Sequence, residues 1–394
     1  MPQGDGQTAI ILGGGGARAA YQVGALRAIA HILARGGPIP FPVLCGTSAG
    51  AINAVALAVN ADDFRRGVAR LLRWWRRVSV AEIYRADLTA LSRHSALFLA
   101  SFLTGTRPPP GVAALLDNAP LAQLLDRQFD FGRLAAHIGS GDLRALSINA
   151  TSYTTGHAVS FFEGDPSLAQ WHRTRRRGQR ARLSRDHLLA STAIPFIFPS
   201  GRIDADFFMD GSVRQLCPLS APLNLGARRI LVLAVGQFSG QRAPQAEGPA
   251  AYPSFAQAAG HALSTIFLDN LAADLERMTQ INRLADLVPP EHLHESGLRA
   301  GHVEALVLAP SKDLGGLALQ YADRLPNAVR GLLRALGSTQ GTGANLTSYL
   351  LFDREFCRAL IDLGYADTMA RRAEVSDFLA GPPDGAFLLP ADYA

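Results

Sequence analysis

The 394-residue sequence is nearly without lysine: of its 38 basic side chains, only Lys312 is not an arginine. Cysteine is scarce too. Cys45, Cys217 and Cys357 are far apart, odd in number and set in apolar neighbourhoods, which argues against a disulfide framework or a thiolate metal site and predicts buried, reduced thiols. No uninterrupted apolar run reaches the length of a membrane span; the nearest, residues 43–59, carries a turn signal within it. The N-terminal MPQGDGQTAIILGGGG has no basic flank, and its apolar run is too short for a secretory signal. No G-K-[ST] follows the glycine cluster, so a P-loop is excluded. No internal repeat is present. Together these absences predict a soluble, cytoplasmic protein.

What is present is enough apolar sequence, 48%, to bury a large core, with a net charge of +5. Arginine forks suit phosphate and carboxylate groups, although a base-composition bias of the gene accounts for the same excess. Strand and helix signals alternate. TAIIL (8–12) is a strand, 17–35 a helix, 41–45 a strand and 49–60 a helix, with further strands at 142–153, 158–164, 228–235 and 302–310. That order predicts an α/β protein with a mainly parallel sheet. Because the last two strands suit the same sheet, one large domain is favoured. RPPPG (107–111) reads as a rigid break, and 236–253, rich in Gly, Pro, Ala and Gln, as a flexible insert. Residues 255–288, 316–336 and 346–375 carry helical patterns.

Two basic segments stand out. In 62–78, helical spacing puts Phe64, Val68, Leu71, Leu72 and Trp75 on one side, Arg66, Arg70, Arg73 and Arg77 on the other, and Trp74 at the boundary. Such a helix suits a membrane surface, or equally the ordinary surface of a basic protein. The run HRTRRRGQRAR (172–182) predicts a loop that meets anionic headgroups or phosphates. Nucleic acid is disfavoured as a partner, because no aromatic-interleaved motif accompanies the charge.

Chemistry is signalled at GTSAG (46–50), a G-x-S-x-G element between FPVLC (41–45) and AINAVALAVN (51–60). In a chain with 38 glycines the five-residue match alone means little. The context means more. A strand that turns sharply into a helix strains the serine backbone, holds its hydroxyl clear and aims it at the helix N-terminus, where free N–H groups favour negative charge. Ser48 is thus a candidate nucleophile, with Gly46 and Gly50 letting the neighbouring backbone pass close; the competing reading is a small residue at a tight turn. LGGGGARAAYQVG (12–24) is the candidate oxyanion loop, because consecutive N–H groups without side chains can converge on one oxygen at a helix start. Arg18 would fix that loop by bonding its carbonyls or neighbouring carboxylates. A dinucleotide fingerprint fits only with Ala19 as the third glycine after Gly14 and Gly16, and no acidic residue closes the second strand.

The base is less obvious. An α/β-hydrolase needs a later acid and then a histidine, and places its serine after more strands than precede Ser48; His292, His294 and His302 have no evident partner. The alternative is a carboxylate. Asp210, before Gly211 in DADFFMDGSVRQLCP (204–218), gains basicity if it lies beside a serine in a partly desolvated pocket, though a surface turn suits the same residues.

GGGGAR near the N-terminus, then GTSAG, ASTAIPFIFP (190–199) and the Asp-Gly at 210–211, in that order, resemble the patatin-like lipid acyl hydrolases. The resemblance runs over about residues 7–311, with SYLLFDREFCRALIDLGYADT similar to the tails of bacterial members. It implies a three-layer α/β/α fold with a mainly parallel central sheet and additional C-terminal helices: a catalytic domain over 7–311 and a helical extension over 312–394 packed on it. It also implies a Ser48–Asp210 dyad without histidine that cleaves acyl esters of phospholipids or lysophospholipids through an acyl-enzyme. The oxyanion would be held by the N–H groups of Gly14, Gly15, Gly16 and Ala49, with Arg18 as the loop's basic residue, and neither metal nor organic cofactor would be needed. A peripheral contact with the anionic inner face of the membrane would run through Arg66, Arg70, Arg73, Arg77 and the 172–182 run. Two departures from the family pattern, Ala19 for Gly and Ser212 for Gly or Ala, keep open a lipid-binding or regulatory protein with little turnover; a histidine-dependent esterase is the other rival.

Overall fold

A computed structural model of the chain describes residues 7–33, 36–86, 97, 100–101, 103–106, 114–215, 217–236, 270–284, 287, 302–335, 344–380 and 387–389. The 107–111 break, His292, His294 and all but the first residue of the 236–253 insert lie outside them. Among the described residues, eleven strands form one sheet: β1 (Gln7–Leu12), β2 (Val43–Thr47), β3 (Ala145–Ser152), β4 (Ala158–Gly164), β5 (Trp171–Arg173), β6 (Arg176–Arg180), β7 (Gly201–Ile203), β8 (Asp206–Asp210), β9 (Ala227–Leu233), β10 (Glu304–Leu308) and β11 (Phe387–Leu388). The order is β11-β10-β9-β1-β2-β3-β4-β6-β5, and β11 through β3 are mutually parallel. Such strands are covered on both faces and so read as unbroken apolar runs, as TAIIL and ILVL do. Alternate residues part to the two sides: Ile10, Leu12, Leu44 and Leu231 enter the larger core, Ala9, Ile11, Val43 and Val232 the smaller.

Helices cover each side. The larger core is roofed by α1 (Ala20–Ile32), α2 (Ala49–Ala58) and α3 (Phe64–Trp75), and the smaller takes Leu271 and Leu275 from a helical stretch, 270–284. The fold is therefore the expected α/β architecture with a mainly parallel sheet and C-terminal helices. The expected 346–375 helix is three: α4 (Ala344–Leu350), α5 (Arg354–Ala370) and α6 (Arg372–Ala380). Asp353 starts α5 by accepting from the Glu355 and Phe356 N–H groups, which is why the chain turns there. Helix α5 crosses α1 where glycines face backbone: a Cβ on Gly364 would collide with the Tyr21 carbonyl, and one on Gly24 with the Ile361 carbonyl.

Several expectations need correction. The 172–182 run is no loop: β5 and β6 form a hairpin, and Arg180 donates to the Gly164, Asp165 and Leu168 carbonyls. The 316–336 pattern is split into Leu314–Leu319, Ala322–Arg324 and Asn327–Ala335, with Pro326 at the last break. Cys45 and Cys357 are buried and free, but Cys217 is only half-buried, its sulfur 3.5 Å from Arg277 Nη1. Among the described residues no helix is long and apolar enough to cross a membrane.

Candidate active site

The register of β3 builds the site. One edge of β3 pairs with β2 in parallel as far as Thr47 opposite Asn149, and then with β8, antiparallel, from Asp210 opposite Ala150. Two strands thus meet end to end along one edge. The residue after β2 is Ser48 and the last of β8 is Asp210, so the Ser48 hydroxyl lies beside the Asp210 carboxylate, near enough to lower its pKa.

Ser48 has the backbone of a strained elbow, φ 55° and ψ −131°, a conformation costing a non-glycine residue roughly 1–3 kcal/mol. What holds it there is visible. Its N–H donates to Ser191 Oγ (2.8 Å), and that hydroxyl donates to the Asn149 carbonyl (2.6 Å). Of the elbow glycines, Gly46 lies against Ala51 and Gly50 against the Leu12 and Gly13 carbonyls, leaving no room for a Cβ on either. Ala49 opens α2, so its N–H has no acceptor within the helix.

The glycine loop joins β1 to a 3-10 turn, Gly16–Ala19, that feeds α1. Gly14 lies over the serine, where a Cβ would collide with Ser212 Oγ and sit 3.0 Å from Ser48 Cβ. Buried amides fix the loop. Gln22 Nε2 donates to the carbonyls of Gly13 (2.8 Å) and Leu233 (3.1 Å); Asn53 donates to Gln22 Oε1, and Trp75 Nε1–H to Asn53 Oδ1 (2.8 Å). A trans peptide points its C=O and N–H opposite ways, so anchoring the Gly13 carbonyl also fixes the direction of the Gly14 N–H. Gly14 and Gly15 donate to no acceptor among the described residues.

Arg18 does not bond loop carbonyls or carboxylates as expected. Its guanidinium donates to Ser348 Oγ and Asn345 Oδ1, both at 2.6 Å, and lies over the Tyr349 ring, so α4 holds it. Tyr349 also occupies the space a Cβ on Gly16 would need. Ala19 is fully buried, and its carbonyl accepts from Asn53.

Asp210 is 1% exposed, and burial pushes its pKa from 3.8 up to about 6, although the nearby Ser48 hydroxyl, the Ser212 N–H that donates to it (2.8 Å) and the Ser212 hydroxyl pull it down. A carboxylate at about 6 is ionised at neutral pH yet far more basic than a surface aspartate. Ser212 is thus part of the site, its N–H donating to the carboxylate that Ser48 adjoins. Gly211 passes against the Asn149 carbonyl, where a side chain would not fit. No histidine hydrogen-bonds Ser48 or Asp210 among the described residues. Nor do these include a group of His, Cys, Asp or Glu able to hold a metal.

An apolar slot opens on Ser48, walled by Ile52, Trp74, Trp75, Phe198, Tyr349 and Phe352; its 30 Å³ hold little more than a water molecule. Three contributors escaped the sequence reading. Ser191 lies in the motif ASTAIPFIFP, which marked its segment but not its hydroxyl; Gln22 and Asn53 are amides set among apolar neighbours in their helices, and that local isolation was the available signal.

Comparison with curated proteins found no match. The profile of the patatin-like phospholipases matches residues 10–223, a span that takes in the glycine loop, the elbow, Ser191 and Asp210. It ends short of residue 311, where the sequence set the domain boundary. Because the match covers more than half of the 394 residues, the chain belongs to the patatin-like phospholipase family and is a hydrolase.

Proposed function

We propose that the chain cleaves acyl esters of phospholipids or lysophospholipids with Ser48 as nucleophile and Asp210 as base. The observation that carries this reading is the placement of a strained, buried serine beside a buried carboxylate titrating near 6. Ser48 Oγ attacks the ester carbonyl as Asp210 takes its proton. The oxyanion sits on the N–H groups of Gly14, Gly15, Gly16 and Ala49, donors fixed before the reaction begins. Collapse expels the alcohol, which leaves with the proton from Asp210; water, deprotonated by the same carboxylate, then releases the fatty acid. The narrow apolar slot supports an acyl chain as its occupant, admitted by side-chain movement.

Residues 7–311 would form the catalytic domain and 312–394 its extension. Peripheral contact with anionic membrane would fall to Arg70, Arg73, Arg77 and the β5–β6 hairpin; Arg66 is already ion-paired with Asp62. Sedimentation with anionic but not neutral liposomes supports that contact, and indifference to headgroup charge removes it.

The direct test is hydrolysis of a short nitrophenyl ester and a mixed-chain phospholipid by Ser48→Ala and Asp210→Asn, with folding checked by circular dichroism. Both variants should stay folded and lose about 10³-fold or more in kcat. Near-normal rates in Asp210→Asn would move the base elsewhere. An inactive wild type whose Ser48 resists a fluorophosphonate would favour a lipid-binding relative.

A further inference from the structure

Two walls of the slot at Ser48 also hold the glycine loop. Tyr349 meets Gly16 with its carbonyl and Arg18 with its ring, and Trp75 reaches the loop through hydrogen bonds. The Trp75 Nε1–H donates to Asn53 Oδ1 (2.8 Å). Asn53 Nδ2 donates to the Ala19 carbonyl (3.1 Å) and to Gln22 Oε1 (3.0 Å), and Gln22 Nε2 donates to the Gly13 and Leu233 carbonyls. The three side chains come in turn from α3, α2 and α1, and each is fully buried.

This chain has a fixed polarity. An indole nitrogen only donates and a carbonyl only accepts, so the donor at one end and the carbonyls at the other settle which way both amides face. Stability alone does not call for such a network, because apolar groups of the same shape can replace fully paired buried polar groups at little cost. What apolar groups cannot do is aim a peptide. The chain ends on the Gly13 carbonyl, and the same peptide carries the N–H of Gly14, the residue that lies over Ser48. The bulk of Trp75 is held separately, its ring stacked on Phe352 with centroids 6.3 Å apart.

We propose that Trp75 is a positioning residue for ester hydrolysis: its indole N–H, acting through Asn53 and Gln22, holds the Gly13–Gly14 peptide in the orientation that receives the oxyanion. The assignment rests on the proposed function in taking Ser48 as nucleophile and Gly14 as an oxyanion donor. Without the indole N–H, Asn53 Oδ1 is buried with no donor, the two amides shift, and the Gly14 N–H loses its aim. The charge that N–H meets develops only in the transition state, so the loss falls on kcat and spares KM.

The test separates the donor from the ring. Trp75→Phe keeps more of the bulk and has no N–H; Trp75→His loses more bulk but can put an N–H at the same ring position. Both are measured with nitrophenyl acetate, whose acyl group is too short to need the slot, beside thermal unfolding and hydrogen exchange of residues 12–17. Trp75→Phe should lower kcat about tenfold, less than the loss of a whole oxyanion donor, with KM within about twofold. Trp75→His should be the less stable of the two yet keep the higher kcat, and exchange in residues 12–17 should quicken in Trp75→Phe more than in Trp75→His. Gln22→Met should lower kcat at least as far as Trp75→Phe does, and adding Trp75→Phe to it should lower kcat no further. If kcat follows stability across the two Trp75 variants, if the Trp75 and Gln22 losses multiply, or if exchange in residues 12–17 is unchanged in Trp75→Phe, the proposal is overturned. The exchange needs no turnover, so it decides whether the indole holds the loop even if hydrolysis survives Ser48→Ala, a result that would overturn the proposed nucleophile instead.

Discussion

Asp210 carries two opposed demands in one carboxyl group. A base must be ionised when it acts, yet burial penalises that form, so its pKa rises from 3.8 to about 6. Between those values the folded protein keeps a proton that the unfolded chain has released, so this group's contribution to stability falls as pH rises through the window. Above about 6 the full cost, about 3 kcal/mol, is present. Asp210→Asn should therefore be more stable than wild type at pH 7 and show little difference at pH 4, read from denaturant midpoints at both; an equal difference at the two values counts against a buried, ionised Asp210. Activity follows the opposite limb. kcat/KM should fall on acidification with an apparent pKa of about 6, and Ser212→Ala, which removes a nearby hydroxyl that lowers it, should move the limb upward. A limb unmoved by that change would mean that the Ser212 hydroxyl does not reach the base.

At the scale of elements, the site is a junction along one edge of β3, and this explains what the sequence could show. The glycine loop and the elbow were legible because each is a local strand-to-helix turn. Asp210 was legible only through a motif, since its nearness to Ser48 depends on β2 and β8 ending against each other on a third strand. Ser191 was illegible: its hydroxyl bridges the elbow N–H and the Asn149 carbonyl across two long stretches of chain. The arginine-rich run misread as a loop is a hairpin whose Arg180 braces a neighbouring turn, a use of charge that composition does not show. Ser191→Ala leaves a buried N–H and a buried carbonyl unpaired beside a strained serine. It should cost about 1–3 kcal/mol in stability and lower kcat more than it raises KM. Unchanged kcat with the expected loss of stability would limit Ser191 to holding the fold.

For the whole molecule, the family match ends at 223, but the site does not stop being built there. Arg18 of the glycine loop is held by Asn345 and Ser348, Tyr84 donates to the Leu350 carbonyl (2.8 Å), and α5 packs through Gly364 onto Tyr21 of α1. Helix α1 begins where the glycine loop ends, so a displacement of α5 reaches the proposed oxyanion donors through one rigid element. Gly364→Ala places a methyl group on the Tyr21 carbonyl and should cost about 3 kcal/mol and lower kcat. Gly139→Ala, in the helix Gly132–Ser140, meets open space and should instead stabilise by about 0.5–1 kcal/mol without touching kcat. If thermal unfolding and ester hydrolysis moved together for Gly364 and neither fell for Gly139, the C-terminal helices would be working parts of the active site. If Gly364→Ala lost stability but kept wild-type kcat, they would act as ballast for the core and the loop would hold its shape without them.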